Sequence, residues 1–165
     1  MTNKAALQRR IRFLLLFFIF ALCAAGLTAI PLRWELRLIN QWFGTDSFLS
    51  QILPSIAEWI SRVNDSVQNG YGQYPLLAYG TDWLAFAHIA IAVAFIGPLR
   101  DPVKNIWIIE FGMIACILII PWALIFGGVR GIPWFWTLID ISFGVFGIMP
   151  LWLLRRDILR ISKEL

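Results

Sequence analysis

Three ionisable side chains lie inside long apolar stretches of this 165-residue sequence. They are His88, Glu110 and Asp140, while Asp82 and Arg130 lie at the borders of the same stretches. An ionisable group within an apolar segment is costly to bury, and it usually marks a functional site or a buried partner. We therefore take these five residues as the candidate site residues.

His88 and Asp140 form the most specific pair. At about 1.5 Å per helical residue, His88 lies about 9 Å beyond Asp82, and Asp140 lies about 10 Å beyond Pro133. Both distances run inward from the same predicted membrane face, so the two side chains share a depth. Small residues on the same helix faces favour close helix packing. We predict an imidazole to carboxylate contact, which either fastens two helices or belongs to a pocket.

These polar residues leave three functions open. We favour an accessory or ligand-binding protein whose outward-facing polar pocket, lined by Asp82, His88, Arg130 and Asp140, binds a lipid or small molecule. The second is a membrane enzyme acting on a lipid or isoprenoid-like substrate. There His88 would be a general acid or base oriented by Asp140, and Arg130 would hold an anionic headgroup. The third is a proton- or ion-coupled transporter, which would need an oligomer.

Glu110 is assigned to a structural ion pair. It lies about 6 Å inside the opposite predicted boundary, where long cationic side chains extend towards the interface. The cations within reach are Arg12, Arg100, Lys104, Arg155 and Arg156.

The residue pattern favours neither a metal nor another cofactor. Asp82 and His88 are six residues apart and project in different directions from a helix, and no closely spaced pair of histidine ligands is present. The single histidine excludes haem bound by two histidines of one chain. Cys23 and Cys116 have apolar neighbours and are expected to act as small apolar side chains. We expect no cofactor.

The composition indicates a membrane protein. Hydrophobic residues make up 59% of the chain, charged residues make up 15%, and the mean hydropathy is +0.74. These values exclude an ordinary soluble domain, a disordered chain and a disulfide scaffold. Four apolar stretches are long enough to cross about 30 Å of hydrocarbon as helices: residues 11–30, 83–99, 106–126 and 133–154. We predict an all-α integral membrane protein with a four-helix bundle, forming a single membrane domain over residues 1–165.

The distribution of Lys and Arg predicts the orientation. Ten of the fourteen cations fall before or at the start of the first stretch, between the second and third, or after the fourth; Arg12, the second residue of the first stretch, is one of the ten. The other four are Arg33, Arg37, Arg62 and Arg130. By the positive-inside rule, both termini lie in the cytoplasm of a multi-pass protein, which we assign to a bacterial inner membrane. Cations at the ends of spans favour membrane lipid as a partner over nucleic acid. A homo-oligomer or a larger membrane complex is also open.

The outer segment, residues 31–80, has the pattern of amphipathic helices. Apolar residues from Leu49 to Val67 recur at spacings of three and four, and a shorter stretch from Leu32 to Phe43 is similar. We expect both helices to lie in the outer membrane interface or to dock on the ends of the spans. Residues 68–75 are rich in turn-forming types and predict an exposed turn. Asp101 followed by Pro102 predicts a helix N-cap at the start of the third span.

Overall fold

The computed structural model describes residues 4–163, which form helices and no strands. The elements, in chain order, are α1 (Lys4–Thr28), α2 (Leu32–Phe43), α3 (Leu49–Ile52), α4 (Pro54–Gln73), α5 (Pro75–Ala94), α6 (Ile96–Arg100), α7 (Ile106–Arg130) and α8 (Trp134–Ser162). The all-α prediction is confirmed for these residues.

Four helical stretches are long and apolar enough to cross a membrane, as predicted. They are Lys4–Thr28, Pro75–Arg100, Ile106–Arg130 and Trp134–Ser162. Each is longer than its predicted stretch, because those predictions followed the apolar residues alone. Backbone hydrogen bonds continue through charged and polar residues where a helix leaves the hydrocarbon, so hydropathy underestimates helix length.

The predicted turn over residues 68–75 is wrong. Helix α4 continues through Gln73, and Tyr74 alone separates it from α5. The backbone N–H of Tyr74 donates to the carbonyl of Gly70 at 2.7 Å, which ends α4. Pro75 then occupies the first position of α5, where a missing N–H costs nothing. Glycine is unfavourable in a helix interior by only about 1 kcal/mol, so a helix of this length tolerates it.

The chain divides into two compact units, whose boundaries fall within α1 and α5. In the described part of the chain, the first unit comprises residues 4–20 and 92–163, and the second comprises residues 21–91.

In the first unit, α7 and α8 pack together through small residues. A Cβ added to Gly144 of α8 would collide with the backbone carbonyl of Cys116 on α7. A Cβ added to Gly127 of α7 would lie 2.8 Å from the hydroxyl of Thr137 on α8. Close backbone approach of this kind is how membrane helices gain packing contacts. The interface between α7 and α8 therefore depends on particular glycines.

The carboxylate of Asp157 connects α1 and α8. Asp157 is fully buried, and Arg10 forms an ion pair with it through both a terminal nitrogen and Nε, the latter donating at 2.6 Å. Nε of Arg156 donates to the second carboxylate oxygen at 3.3 Å. The amino-terminal turns of α1 and the carboxy-terminal turns of α8 therefore lie at the same end of the first unit.

The predicted helix N-cap at Asp101 is wrong, because a short turn lies between α6 and α7. Helix α7 begins at Ile106, and Asp101 instead accepts a hydrogen bond from the backbone N–H of Lys104 at 3.1 Å. This hydrogen bond lowers the pKa of Asp101 below its usual value. The side-chain amide of Asn105 donates to the carbonyls of Gly97 and Asp101, at 3.2 and 2.9 Å. Asp101 thus stabilises the loop before α7. Helix α7 starts about one helical turn later than the predicted N-cap implied.

In the second unit, the side chain of Gln68 joins α4 to α2. Its amide nitrogen donates to the carbonyl of Arg33 at 2.7 Å, and its amide oxygen accepts from the Arg37 guanidinium at 3.3 Å. A second network links Ser61 of α4 to Asn40 at 2.7 Å. Helices α2 and α4 are therefore joined through polar groups, while the exposed side chains of α2 include Trp34, Ile39, Trp42 and Phe43.

Replacing Gly144 with alanine should destabilise the protein. The added methyl group would overlap the Cys116 carbonyl, and overpacking of this kind costs about 1–3 kcal/mol of unfolding free energy. Gly128→Ala is the matched control, because nothing lies within 4 Å of a Cβ at that helical position. Thermal unfolding in detergent measures both. A Gly144→Ala variant as stable as Gly128→Ala would contradict this description of the interface.

Removing Arg10 should also destabilise the protein, because it leaves a buried carboxylate with one weaker partner. We expect Arg10→Met to cost about 2 kcal/mol. This destabilisation is smaller than that expected on breaking a fully buried ion pair, because the Arg10 side chain is 46% exposed and Arg156 still donates to Asp157. Arg9→Met is the control, since Arg9 is exposed and has no ion pair in the described part of the chain. Equal melting temperatures in detergent would show that the ion pair contributes nothing.

Candidate functional site

A groove between α7 and α8 contains two of the predicted site residues. Its volume is about 510 Å³. Its wall is mostly apolar and comes mainly from α7, and the charged residues that line it are Arg130 and Asp140. The apolar lining includes Leu118, Ile119, Trp122, Ala123 and Phe126.

The structure of the C-terminal end of α7 determines the position of Arg130. It is the last residue of the helix, and Gly131 follows with a left-handed φ of 65°. The backbone N–H of Ile132 donates to the Gly127 carbonyl at 2.9 Å, which completes a glycine-terminated helix end. Pro133 precedes the first residue of α8. The sequence Gly131-Ile132-Pro133 therefore reverses the chain tightly and leaves the Arg130 side chain exposed at one end of the groove.

Asp140 lies on α8 about 9 Å along the axis from Trp134. It is half-buried, and no hydrogen bond or ion pair to it is formed within the first unit. Thr137, nearly one turn earlier, is buried against Gly127, which holds the two helices together at this level. A carboxyl group in an apolar groove without a partner is costly. Its placement therefore indicates a site whose partner is a ligand or another polar group.

His88 and Asp82 belong to the second unit. Asp82 is exposed on α5, and His88 is half-buried. A Cβ added to Gly26 of α1 would lie 2.9 Å from the Cβ of His88 and 2.9 Å from the carbonyl of Ala85. The close approach of α1 to α5 therefore occurs at Gly26.

The imidazole of His88 has a defined proton position. Its Nδ1 lies 2.8 Å from the carbonyl oxygen of Leu84, and a carbonyl only accepts, so Nδ1 carries the hydrogen. In the neutral ring, Nε2 is then an acceptor. A hydrogen bond from Nε2 to a carboxyl group would need one more proton, either on the ring or on the carboxyl. The contact between His88 and Asp140 stays a prediction, with this added requirement.

Glu110 accepts a hydrogen bond from Nε of Arg155 at 2.8 Å, forming an ion pair between α7 and α8. Arg155 is one of the five cations considered from the sequence. Asp157 was not considered, because the predicted fourth span ended at residue 154. One signal was available: Asp157 falls within a buried stripe at helical spacing, formed by Leu151, Leu154, Ile158 and Ile161.

The described residues contain no group of three or more His, Cys, Asp and Glu side chains able to hold a metal ion. Cys116 is buried, and its sulfur is the atom nearest to a Cβ added to Gly147.

Comparison with protein-family models, curated proteins and solved structures finds no significant match. The interpretation of the site therefore rests on its geometry.

The proton position on His88 can be measured directly, because the chain has a single histidine. At a pH where the ring is neutral, we expect the ¹⁵N spectrum of the folded protein in detergent to show Nδ1 protonated and Nε2 unprotonated. The control is the same protein unfolded, in which the bond to Leu84 is lost. Protonation at Nε2 in the folded state would contradict the hydrogen bond to the Leu84 carbonyl.

Proposed function

We propose that this protein is a small multi-pass membrane protein that binds a lipid or similar amphiphile in the groove between α7 and α8. The observation that carries the proposal is Asp140, a half-buried carboxyl group without a partner in its unit, in an apolar groove that also contains Arg130. The volume of about 510 Å³ lies within the range of small-molecule sites.

The chemistry of the groove selects the class of ligand. Its apolar wall suits a hydrocarbon or isoprenoid chain. Arg130 supplies several N–H donors that match a phosphate or carboxylate group. Asp140 supplies oxygen atoms for a hydroxyl group or another donor. The ligand is therefore an amphiphile with an anionic, hydroxyl-bearing head.

We further infer a membrane arrangement around this site. The four long helices form a bundle with both termini in the cytoplasm, because ten of the fourteen cations lie on that side. Helices α2 and α4 lie in the outer interface. This inference is supported by the exposed aromatic side chains Trp34, Trp42, Phe43 and Phe48, since such residues favour that layer. The groove end that carries Arg130 then opens outwards.

A second function, a lipid-directed enzyme, is supported by the hydrogen bonding of His88. The bond from Nδ1 to Leu84 fixes the ring and leaves Nε2 as the basic nitrogen. A general base needs this arrangement when its Nε2 faces a substrate. In that case His88→Gln would abolish turnover of the lipid substrate.

The binding proposal can be tested with two probes that share one chain, farnesyl phosphate and farnesol. Native mass spectrometry of the delipidated protein in neutral detergent measures the affinity of each. We expect Arg130→Gln to weaken farnesyl phosphate about tenfold and to change farnesol little, because a charge-assisted contact of this kind contributes about 1.5–3 kcal/mol. Ala123→Phe should fill the groove and weaken the binding of both probes.

Arg62→Gln is the matched control, since Arg62 is an exposed arginine of α4 that does not line the groove. Melting temperatures establish that each variant is folded. Unchanged binding of both probes by folded Arg130→Gln and Ala123→Phe would overturn the proposal.

A further inference from the structure

A second recess lies at the other end of α8 from the groove. Its volume is about 300 Å³, and an exposed tryptophan, Trp152, forms part of its wall. Among the described residues, six line it, of which four are cationic and none is acidic. The cations are Arg155, Arg156, Arg160 and Lys163.

Two of these cations are held in place by carboxylates outside the recess. Arg155 donates to Glu110 through Nε at 2.8 Å, and Arg156 donates to Asp157 through Nε at 3.3 Å. The Arg156 guanidinium also stacks on Trp152, 5.3 Å from the ring centroid. A guanidinium has five N–H donors. Both arginines are therefore oriented, while their terminal N–H groups have no partner among the described residues.

The other two cations have no acidic partner among the described residues. Arg160 and Lys163 are exposed, and neither forms an ion pair with another residue in the range 4–163. Since Glu110 and Asp157 each have arginine partners, the described residues of the recess carry an excess of positive charge.

The depth of the recess matches that of lipid phosphates. Helix α8 begins at Trp134, and about twenty residues at 1.5 Å each cross the hydrocarbon and reach Leu154. The turns from Arg155 onwards therefore lie among the headgroups. Trp152 falls at the interface, where tryptophan is enriched in membrane proteins.

We propose that this recess binds the phosphate of an anionic phospholipid, such as phosphatidylglycerol. The guanidinium groups of Arg155 and Arg156 donate to the phosphate oxygens, and Arg160 and Lys163 contribute attraction from the rim. Trp152 and Leu159 contact the glycerol and upper chain region. A zwitterionic lipid fits less well, because none of the described residues that line the recess is acidic and able to pair with its ammonium group. This site is separate from the groove and does not depend on the function proposed for it.

The test measures lipid binding to the delipidated full-length protein by native mass spectrometry. The probes are palmitoyl-oleoyl phosphatidylglycerol and the phosphatidylcholine with the same chains. We expect one phosphatidylglycerol to bind more tightly than later ones, and more tightly than phosphatidylcholine. Arg160→Gln/Lys163→Gln should weaken this first binding about tenfold. Both side chains are exposed, so the variant keeps the ion pairs of Glu110 and Asp157.

Lys4→Gln/Arg9→Gln is the control. It removes the same charge at the same end of the first unit from exposed residues that do not line the recess. Equal loss of phosphatidylglycerol binding in both double variants would overturn the proposal in favour of diffuse surface charge. So would equal affinity of the wild type for the two lipids. Displacement of the first lipid by millimolar inorganic phosphate would show a free-anion site instead.

Discussion

The cost of removing a carboxylate from water controls how the first unit is built. Its three buried or half-buried acidic residues on α7 and α8 meet this cost in different ways. Asp157 is fully buried and has two guanidinium partners, whereas Glu110 is half-buried and has one. Asp140 is half-buried and has none within its unit. Because an unpaired carboxyl group in apolar surroundings is unfavourable, Asp140 is the residue on which the proposed ligand site rests. The two paired acids join α8 to α1 and to α7.

Glycine determines where the helices approach and where they separate. Gly144 and Gly127 bring the backbones of α7 and α8 close at two levels. The side chains between these levels include Ile119 and Ala123, and they line one side of the groove. Since rigid helices that touch at fixed points leave a fixed space beside the contact, the groove is a consequence of packing. The charged groups of the groove are Arg130, at the end of α7, and Asp140, on α8. Both are positioned by the glycine contacts between these two helices.

The sequence predicted the spans better than their ends. Hydropathy locates the apolar part of each helix, because that part must exclude charge to cross hydrocarbon. It carries no information about the polar turns beyond, and the extension of α8 to Ser162 was missed together with Asp157. Local patterns were less reliable. Asp101 and Pro102 resemble a helix start, but the side chain of Asn105 donates to the carbonyl of Asp101 and forms a turn before α7 begins. The candidate residues Arg130 and Asp140 could be predicted from the free-energy cost of placing a charged group in or beside an apolar span. The hydrogen bond from His88 to Leu84 depends on the side-chain rotamer, which residue spacing does not encode.

The two ends of α8 place different demands on what they bind. Near Trp134, the groove combines a long apolar wall with one arginine and one carboxyl, so most of its binding energy comes from burying a chain. Beyond Leu154, the recess has four cations, so the lipid proposed for it would be selected mainly by charge. Charge alone distinguishes phospholipids by headgroup, and an apolar wall distinguishes ligands by chain. A lipid held by its phosphate at one end would therefore order the bilayer around α8 without competing for the groove. If both proposals hold, α8 carries a structural lipid and a selected ligand at the same time.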